Sequence, residues 1–121
     1  MTGGGSVINI ASSAAHSGVT NGVVYATLKA AVAHYTRCLA KELIDAGVRV
    51  NAVSPGPTKT ARFEATRIVD PAKMDASIRS LARYAEPAEI ADAVAFLAGP
   101  RSRFVNGQIL RVDGGMTLFP G

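Results

Sequence analysis

Gly47-Val48-Arg49-Val50-Asn51-Ala52-Val53-Ser54-Pro55-Gly56-Pro57 lies near the middle of a chain of 121 residues. Residues 48–53 are few, rich in β-branched side chains and bounded by turn formers, which reads as a strand. Gly47 is placed to stop a preceding helix in the left-handed conformation. Ser54-Pro55-Gly56-Pro57 ends the strand, because a proline–glycine pair punctuates regular structure.

Working outward toward the N-terminus, residues 23–46 carry Val24, Leu28, Val32, Tyr35, Leu39 and Leu43 at helical spacing. Alanines fill the intervening turns and favour the helix. Ser6-Val7-Ile8-Asn9-Ile10-Ala11 reads as an earlier strand, short and β-branched. The glycines at 3 to 5 precede that strand, so they make a flexible leading turn; a dinucleotide-binding glycine fingerprint follows its strand. A polar, glycine-containing loop spans 12 to about 22. Toward the C-terminus, residues 58–84 are polar, rich in Arg and Ala and only patchily periodic. They read as one or two short helices within a mobile segment. Pro87 opens the next helix at its first position, Ile90, Val94 and Leu97 form its buried stripe, and Gly99-Pro100 closes it. Residues 108–113 are the last strand, followed by Gly114-Gly115. Strand–helix–strand–helix–strand implies parallel pairing with right-handed crossovers, hence an α/β chain built on a three-stranded parallel sheet. No repeat, low-complexity tract or linker marks a second domain.

Composition narrows the function. Hydrophobic residues are 48% and charged residues 18%, which is globular rather than disordered. A mean hydropathy of +0.20 is high for so short a chain and resembles the inside of a larger fold. No apolar run approaches the ~20 residues of a membrane span, and the N-terminus lacks the basic and apolar regions of a signal peptide. Cys38, the single cysteine, excludes an internal disulfide, fits a reducing cytoplasm and reads as a small apolar packing residue. The net charge is +4, but the Lys and Arg residues are scattered and aromatics are only 6%, which argues against nucleic acid. An anionic cofactor or substrate accounts for the excess equally well. Two histidines and one cysteine make no metal site. His16 lies in the loop between Ser12 and Tyr25, on the side where a substrate would bind, but reads first as a surface loop residue, and His34 as a helix-surface or interface residue.

Tyr25-Ala26-Thr27-Leu28-Lys29 adds a chemical feature. On a helix, positions 25 and 29 share one face, about 6 Å apart along the axis. At an effective dielectric of ~20, an ammonium and a phenolate ~5 Å apart attract by about 3 kcal/mol. Such a neighbour favours the ionised form of a phenol and makes it useful in general acid–base chemistry. Ser12 lies thirteen residues before the tyrosine.

Four features coincide in order: Asn9-Ile10-Ala11-Ser12, then Tyr25-x-x-x-Lys29, then Val50-Asn51-Ala52-Val53-Ser54-Pro55-Gly56-Pro57-Thr58-Lys59-Thr60, then Phe104-Val105-Asn106-Gly107-Gln108-Ile109-Leu110-Arg111-Val112-Asp113-Gly114-Gly115. From about Gly5 to Thr117 the chain resembles the C-terminal half of a compact, single-domain short-chain dehydrogenase/reductase. That resemblance implies part of a doubly wound Rossmann-type sheet, and an oxidoreductase moving a hydride between NAD or NADP and a secondary alcohol or carbonyl. It implies that Ser12 holds the reacting oxygen beside Tyr25, and that Tyr25 gives or takes the proton. Lys29 binds the nicotinamide ribose and tunes Tyr25. Pro55, Gly56 and the backbone at Thr58 receive the carboxamide, and Thr60 contacts the carboxamide or pyrophosphate. The thirteen-residue interval favours Ser12 over Ser13, which is left as a loop hydroxyl capping a turn. Thr58 departs mildly from the branched apolar residue usual in the family.

The same resemblance implies that residues 1–121 are the catalytic portion without the dinucleotide-binding half. The family's glycine-rich loop and its NAD-or-NADP-selecting residue are missing, so the two cofactors are not distinguished. Residues 58–84 form the expected lid over a small-molecule pocket. Strand 6–11 loses a neighbour, and an open apolar edge invites pairing; a homo-oligomer or self-associating chain is expected. The alternative is a non-catalytic fragment or interaction protein that keeps Ser12, Tyr25 and Lys29 but binds no dinucleotide.

Overall fold

The structure, a computed structural model, describes residues 4–118. The leading-turn reading of Gly3 therefore lies outside the described residues. Three strands, β1 (Gly5–Ile10), β2 (Val48–Pro55) and β3 (Ile109–Val112), form a parallel sheet in the order β1-β2-β3. Val7 stands opposite Val50, and Val53 opposite Leu110. β2 runs two residues further than the sequence suggests, since Ser54 and Pro55 still pair with Arg111 and Val112.

Helix α1 (Val23–Glu42) crosses from β1 to β2 and is followed by a 3-10 turn, Ile44–Ala46. Gly47 ends it at φ 70°, and its N–H donates to Ile44 O. A left-handed residue there suits glycine. The expected lid holds two short helices, α2 (Ala61–Thr66) and α3 (Pro71–Met74), and α4 (Pro87–Ala98) leads toward β3. Pro87 stands in the first turn of α4, where its missing N–H costs nothing. Glu86 and Glu89 form a reciprocal capping box.

Alternation along β2 places one helix on each face of the sheet. Val48 and Val50 pack with Ala40 of α1, flanked by Val7, Leu39 and Leu43. On the same face, Asn9 Nδ2 donates to Thr36 Oγ1 at 3.1 Å. Arg49 points the other way, and its guanidinium donates to Leu97 O, Gly99 O and Val105 O. A cation at the C-terminus of α4 complements the helix dipole. Asn51, fully buried, joins β2 to the segment before β3 by donating to Val105 O and accepting from Gln108 N–H.

Two expectations are corrected. Of the large apolar residues at helical spacing, Val24, Leu28 and Tyr35 are not on the packed face, being 72%, 62% and 58% exposed, while Val32, Leu39 and Leu43 are half-buried. The buried stripe is Ala33, Thr36 and Ala40, because small side chains let the helix lie close to the sheet. Cys38 is exposed on α1 and is not a buried packing residue.

Candidate active site

All three parallel strands end at the same edge of the sheet, and the candidate residues gather there. β1 delivers Ala11, whose N–H donates to Val53 O at 2.8 Å, and then Ser12. Ser12 is the N-cap of a 3-10 turn, Ser13–Ala15, and its Oγ accepts from Ala14 N–H at 3.2 Å. The hydroxyl proton of Ser12 is thus left to donate elsewhere. This reverses one expectation: Ser12 itself caps the turn, and Ser13 is buried.

α1 packs against that turn. Its first turns present Tyr25, 47% exposed, and Lys29. Lys29 Nζ donates to Ile10 O at 3.0 Å and stands 5.8 Å from the centroid of the Tyr25 ring. The ammonium is therefore pinned to the last residue of β1, two positions before Ser12, with the phenol beside it. On the neighbouring strand, Gly56 N–H donates to Val112 O at 2.9 Å. A Cβ at Gly56 would lie 3.0 Å from Asp113 Cα and Cβ, so the turn after Pro55 has little room for a side chain.

Thr58 and Thr60 are partly committed within the fold. Thr58 Oγ1 donates to Gly56 O at 2.9 Å, and Thr60 Oγ1 accepts from Phe63 N–H as the N-cap of α2. The Thr58 backbone bridges to Ala85, and Ala85 N–H donates to Pro57 O. Those contacts lash the start of the 58–84 segment to its end.

That end carries the strongest ion pairs among the described residues. Arg83 grips Glu89 with both guanidinium nitrogens, at 2.6 and 2.8 Å, and Lys59 meets Glu86 at 3.0 Å. The Arg83 hydrogen bond, helped by the Glu86 N–H, holds the Glu89 carboxyl down to about 2. A cleft of ≈690 Å³ runs between Gly56-Pro57, residues 81–85 and residues 111–116. Gly56 lines it, whereas Ser12, Tyr25 and Lys29 do not. Burial works against the Asp113 carboxylate at its rim. Bonds from Thr117 and from the Gly115 N–H, with Arg111 nearby, nevertheless keep it below the usual carboxylate range.

For one polar residue the favoured sequence reading is corrected. His16 is not a free loop histidine: it is half-buried, and its Nε2 lies 2.7 Å from Ser54 Oγ. No spacing rule links positions 16 and 54; only the parallel pairing of β1 with β2 brings them together. Among the described residues no group of His, Cys, Asp and Glu could hold a metal ion, and no helix is long and apolar enough to cross a membrane.

Comparison with known proteins agrees with this architecture. A family model described as enoyl-(acyl carrier protein) reductase matches residues 1–117. An uncharacterized oxidoreductase of Mycobacterium tuberculosis is 42% identical over 118 residues, covering 97% of this chain and 44% of the relative. A solved actinorhodin polyketide ketoreductase with NADPH superimposes with TM-score 0.82 at 32% identity, covering 97% of this chain and 49% of that one. A 7α-hydroxysteroid dehydrogenase complexed with NADH and 7-oxo glycochenodeoxycholic acid gives TM-score 0.81 at 35% identity, covering 93% and 44%. The chain thus spans a little under half the length of the proteins it matches.

Proposed function

Since the chain belongs to the short-chain dehydrogenase/reductase family, we propose that it is the catalytic portion of an NAD(P)-dependent oxidoreductase acting on a secondary alcohol or carbonyl. One observation carries this reading. Lys29 is pinned to Ile10 O with Tyr25 beside it, where β1 hands over to Ser12.

The nicotinamide supplies or accepts the hydride when it is bound. The residues present suit that end of the cofactor: Lys29 as a donor to ribose hydroxyls, and the narrow Pro55-Gly56 turn with its following backbone as the seat of the carboxamide. They suit the other end less well. No strand–helix turn among the described residues carries the glycine pattern that cradles a pyrophosphate, so the adenosine and phosphates require a further nucleotide-binding half.

Within the chain, the proposed roles are those the family resemblance implies, and the local geometry supports them. The Ser12 hydroxyl keeps a free proton with which to hold the reacting oxygen. Tyr25 gives its proton to that oxygen in reduction and takes one in oxidation. The Lys29 charge stabilises the negative charge that develops as the proton leaves. Residues 81–85 line the cleft beside Gly56 and Pro57, which supports the lid reading.

The second reading, a fragment that keeps these residues but binds no dinucleotide, draws on the chain's partial length relative to its relatives. Titration of the chain joined to a nucleotide-binding half with NADH and with NADPH, followed by nucleotide fluorescence and compared with that half alone, separates the two. Saturable binding beyond that of the half alone supports the oxidoreductase portion; no such binding up to millimolar nucleotide favours the fragment.

A further inference from the structure

The turn that carries Ser12 is held to β2 at two points. Before it, Ala11 N–H donates to Val53 O at 2.8 Å. After it, His16 closes the 3-10 turn with its own N–H to Ser13 O at 3.1 Å, and its imidazole then reaches the fully buried Ser54 hydroxyl at 2.7 Å. Ser12 is bracketed by bonds to two consecutive residues of β2, and the next two residues of that strand and turn are Pro55 and Gly56.

The geometry points to His16 as a positioning residue, whose hydrogen bond to Ser54 fixes the Ser12 hydroxyl relative to the Pro55-Gly56 turn. The inference rests on the oxidoreductase reading for its purpose, although the clasp is testable without it. Without the second tie, the turn from Ser12 to His16 keeps its packing against α1 but loses its side-chain bond to β2, and the Ser12 oxygen gains freedom relative to that strand. A hydroxyl meant to hold a reacting oxygen needs its geometry fixed by neighbours.

The surroundings select the neutral ring. Arg37 faces the imidazole from α1 and Arg111 from β3, while Asp113, just past β3, is the opposing carboxylate. Burial, then Arg111 and Arg37, push the His16 pKa below 6.5, and Asp113 only partly offsets them. Protonation therefore sets a positive charge in a half-buried site already flanked by two guanidinium groups, and weakens the clasp on acidification.

Ala14 N–H, which donates to Ser12 Oγ, reports on the turn directly. The experiment is amide hydrogen exchange of the full chain by NMR, in wild type, His16→Ala, Ser54→Ala and the double variant, with α4 amides as the internal reference. Each single change is expected to speed exchange at Ala14 and Ala15 about tenfold, the factor one ordinary hydrogen bond supplies. The double variant is expected to match the singles, since both remove the same bond. In wild type the protection of these two amides falls as His16 titrates, and in His16→Gln it does not. Unchanged exchange, additive effects, equal loss across α4, or the same pH dependence in His16→Gln overturns the inference. No cofactor enters these measurements, so absence of nicotinamide binding would count against the oxidoreductase reading alone. The pH comparison on wild type stands even where an alanine variant fails to fold.

Discussion

At the scale of single residues, the proposed chemistry rests on one phenol with a fixed ammonium beside it. Lys29 is the more informative of the two, because its bond to Ile10 O ties the helix to the strand end that precedes Ser12. In a form that turns over, Tyr25→Phe is expected to lower kcat by about 10²–10⁴-fold, the usual span for losing a positioned acid–base group. Nucleotide affinity, read by fluorescence titration, should stay nearly unchanged. Lys29→Met should weaken both, since the proposal assigns the same ammonium to ribose and phenol. A Tyr25→Phe variant that keeps its rate would remove the phenol from the reaction. Much of this was legible in the sequence: Tyr25 and Lys29 sit one helical turn apart, and Ser12 precedes them at a fixed interval. The clasp of His16 with Ser54 was not legible, because it depends on a register between strands that no local pattern encodes.

Single elements show where helical periodicity misleads. Apolar spacing marks Val24, Leu28, Val32, Tyr35, Leu39 and Leu43; Leu39 and Leu43 do flank the core, whereas Val24, Leu28 and Tyr35 stay exposed and the fully buried positions are Ala33, Thr36 and Ala40. Close approach of the backbone selects small residues, and periodicity alone does not say which of two apolar stripes faces inward. β2 hid a second surprise. Asn51 interrupts an apolar run because it satisfies both a carbonyl and an N–H before β3. Asn51→Ala takes the acceptor from Gln108 N–H and one of two donors from Val105 O, which keeps Arg49, and is expected to cost about 1–2 kcal/mol, measured by urea denaturation; a loss below about 0.5 kcal/mol, the ordinary surface value, contradicts the clasp. The start of α4 was easier, since Pro87 and Glu89 follow known capping rules. Glu89 is held at about 2 against an ordinary 4.5, so its folded-state pKa is depressed. Its contribution is complete above about 4.5 and is lost as the pH falls toward 2. Thermal melts between pH 5 and 3 should therefore show a steeper fall for wild type than for Glu89→Gln.

At the scale of the whole molecule, three strands and their helices are a stable arrangement with unfinished surfaces. Among the described residues β1 pairs with β2 alone, leaving one edge of N–H and C=O groups open. Val24 and Leu28 add exposed apolar area on α1. Self-association is expected, and light scattering should report a mass above that of one chain at micromolar concentration. Val24→Lys with Leu28→Glu should shift the distribution toward monomer if the α1 face contributes. A monodisperse wild-type monomer contradicts the expectation. Parallel order and three strands followed from the alternation of elements, while the short helices within 58–84 were only roughly placed, because their boundaries depend on caps such as Thr60 and Asp70.

The most direct measurement is deuteride transfer. This chain, joined to a nucleotide-binding half, is incubated with 4-deuterated NADH or NADPH and a panel of ketones, and the alcohols are read by mass spectrometry with Tyr25 and with Tyr25→Phe. Label at the carbinol carbon with Tyr25, and its near absence with phenylalanine, is the expected result. No label from either protein, or equal label from both, contradicts hydride chemistry at this site.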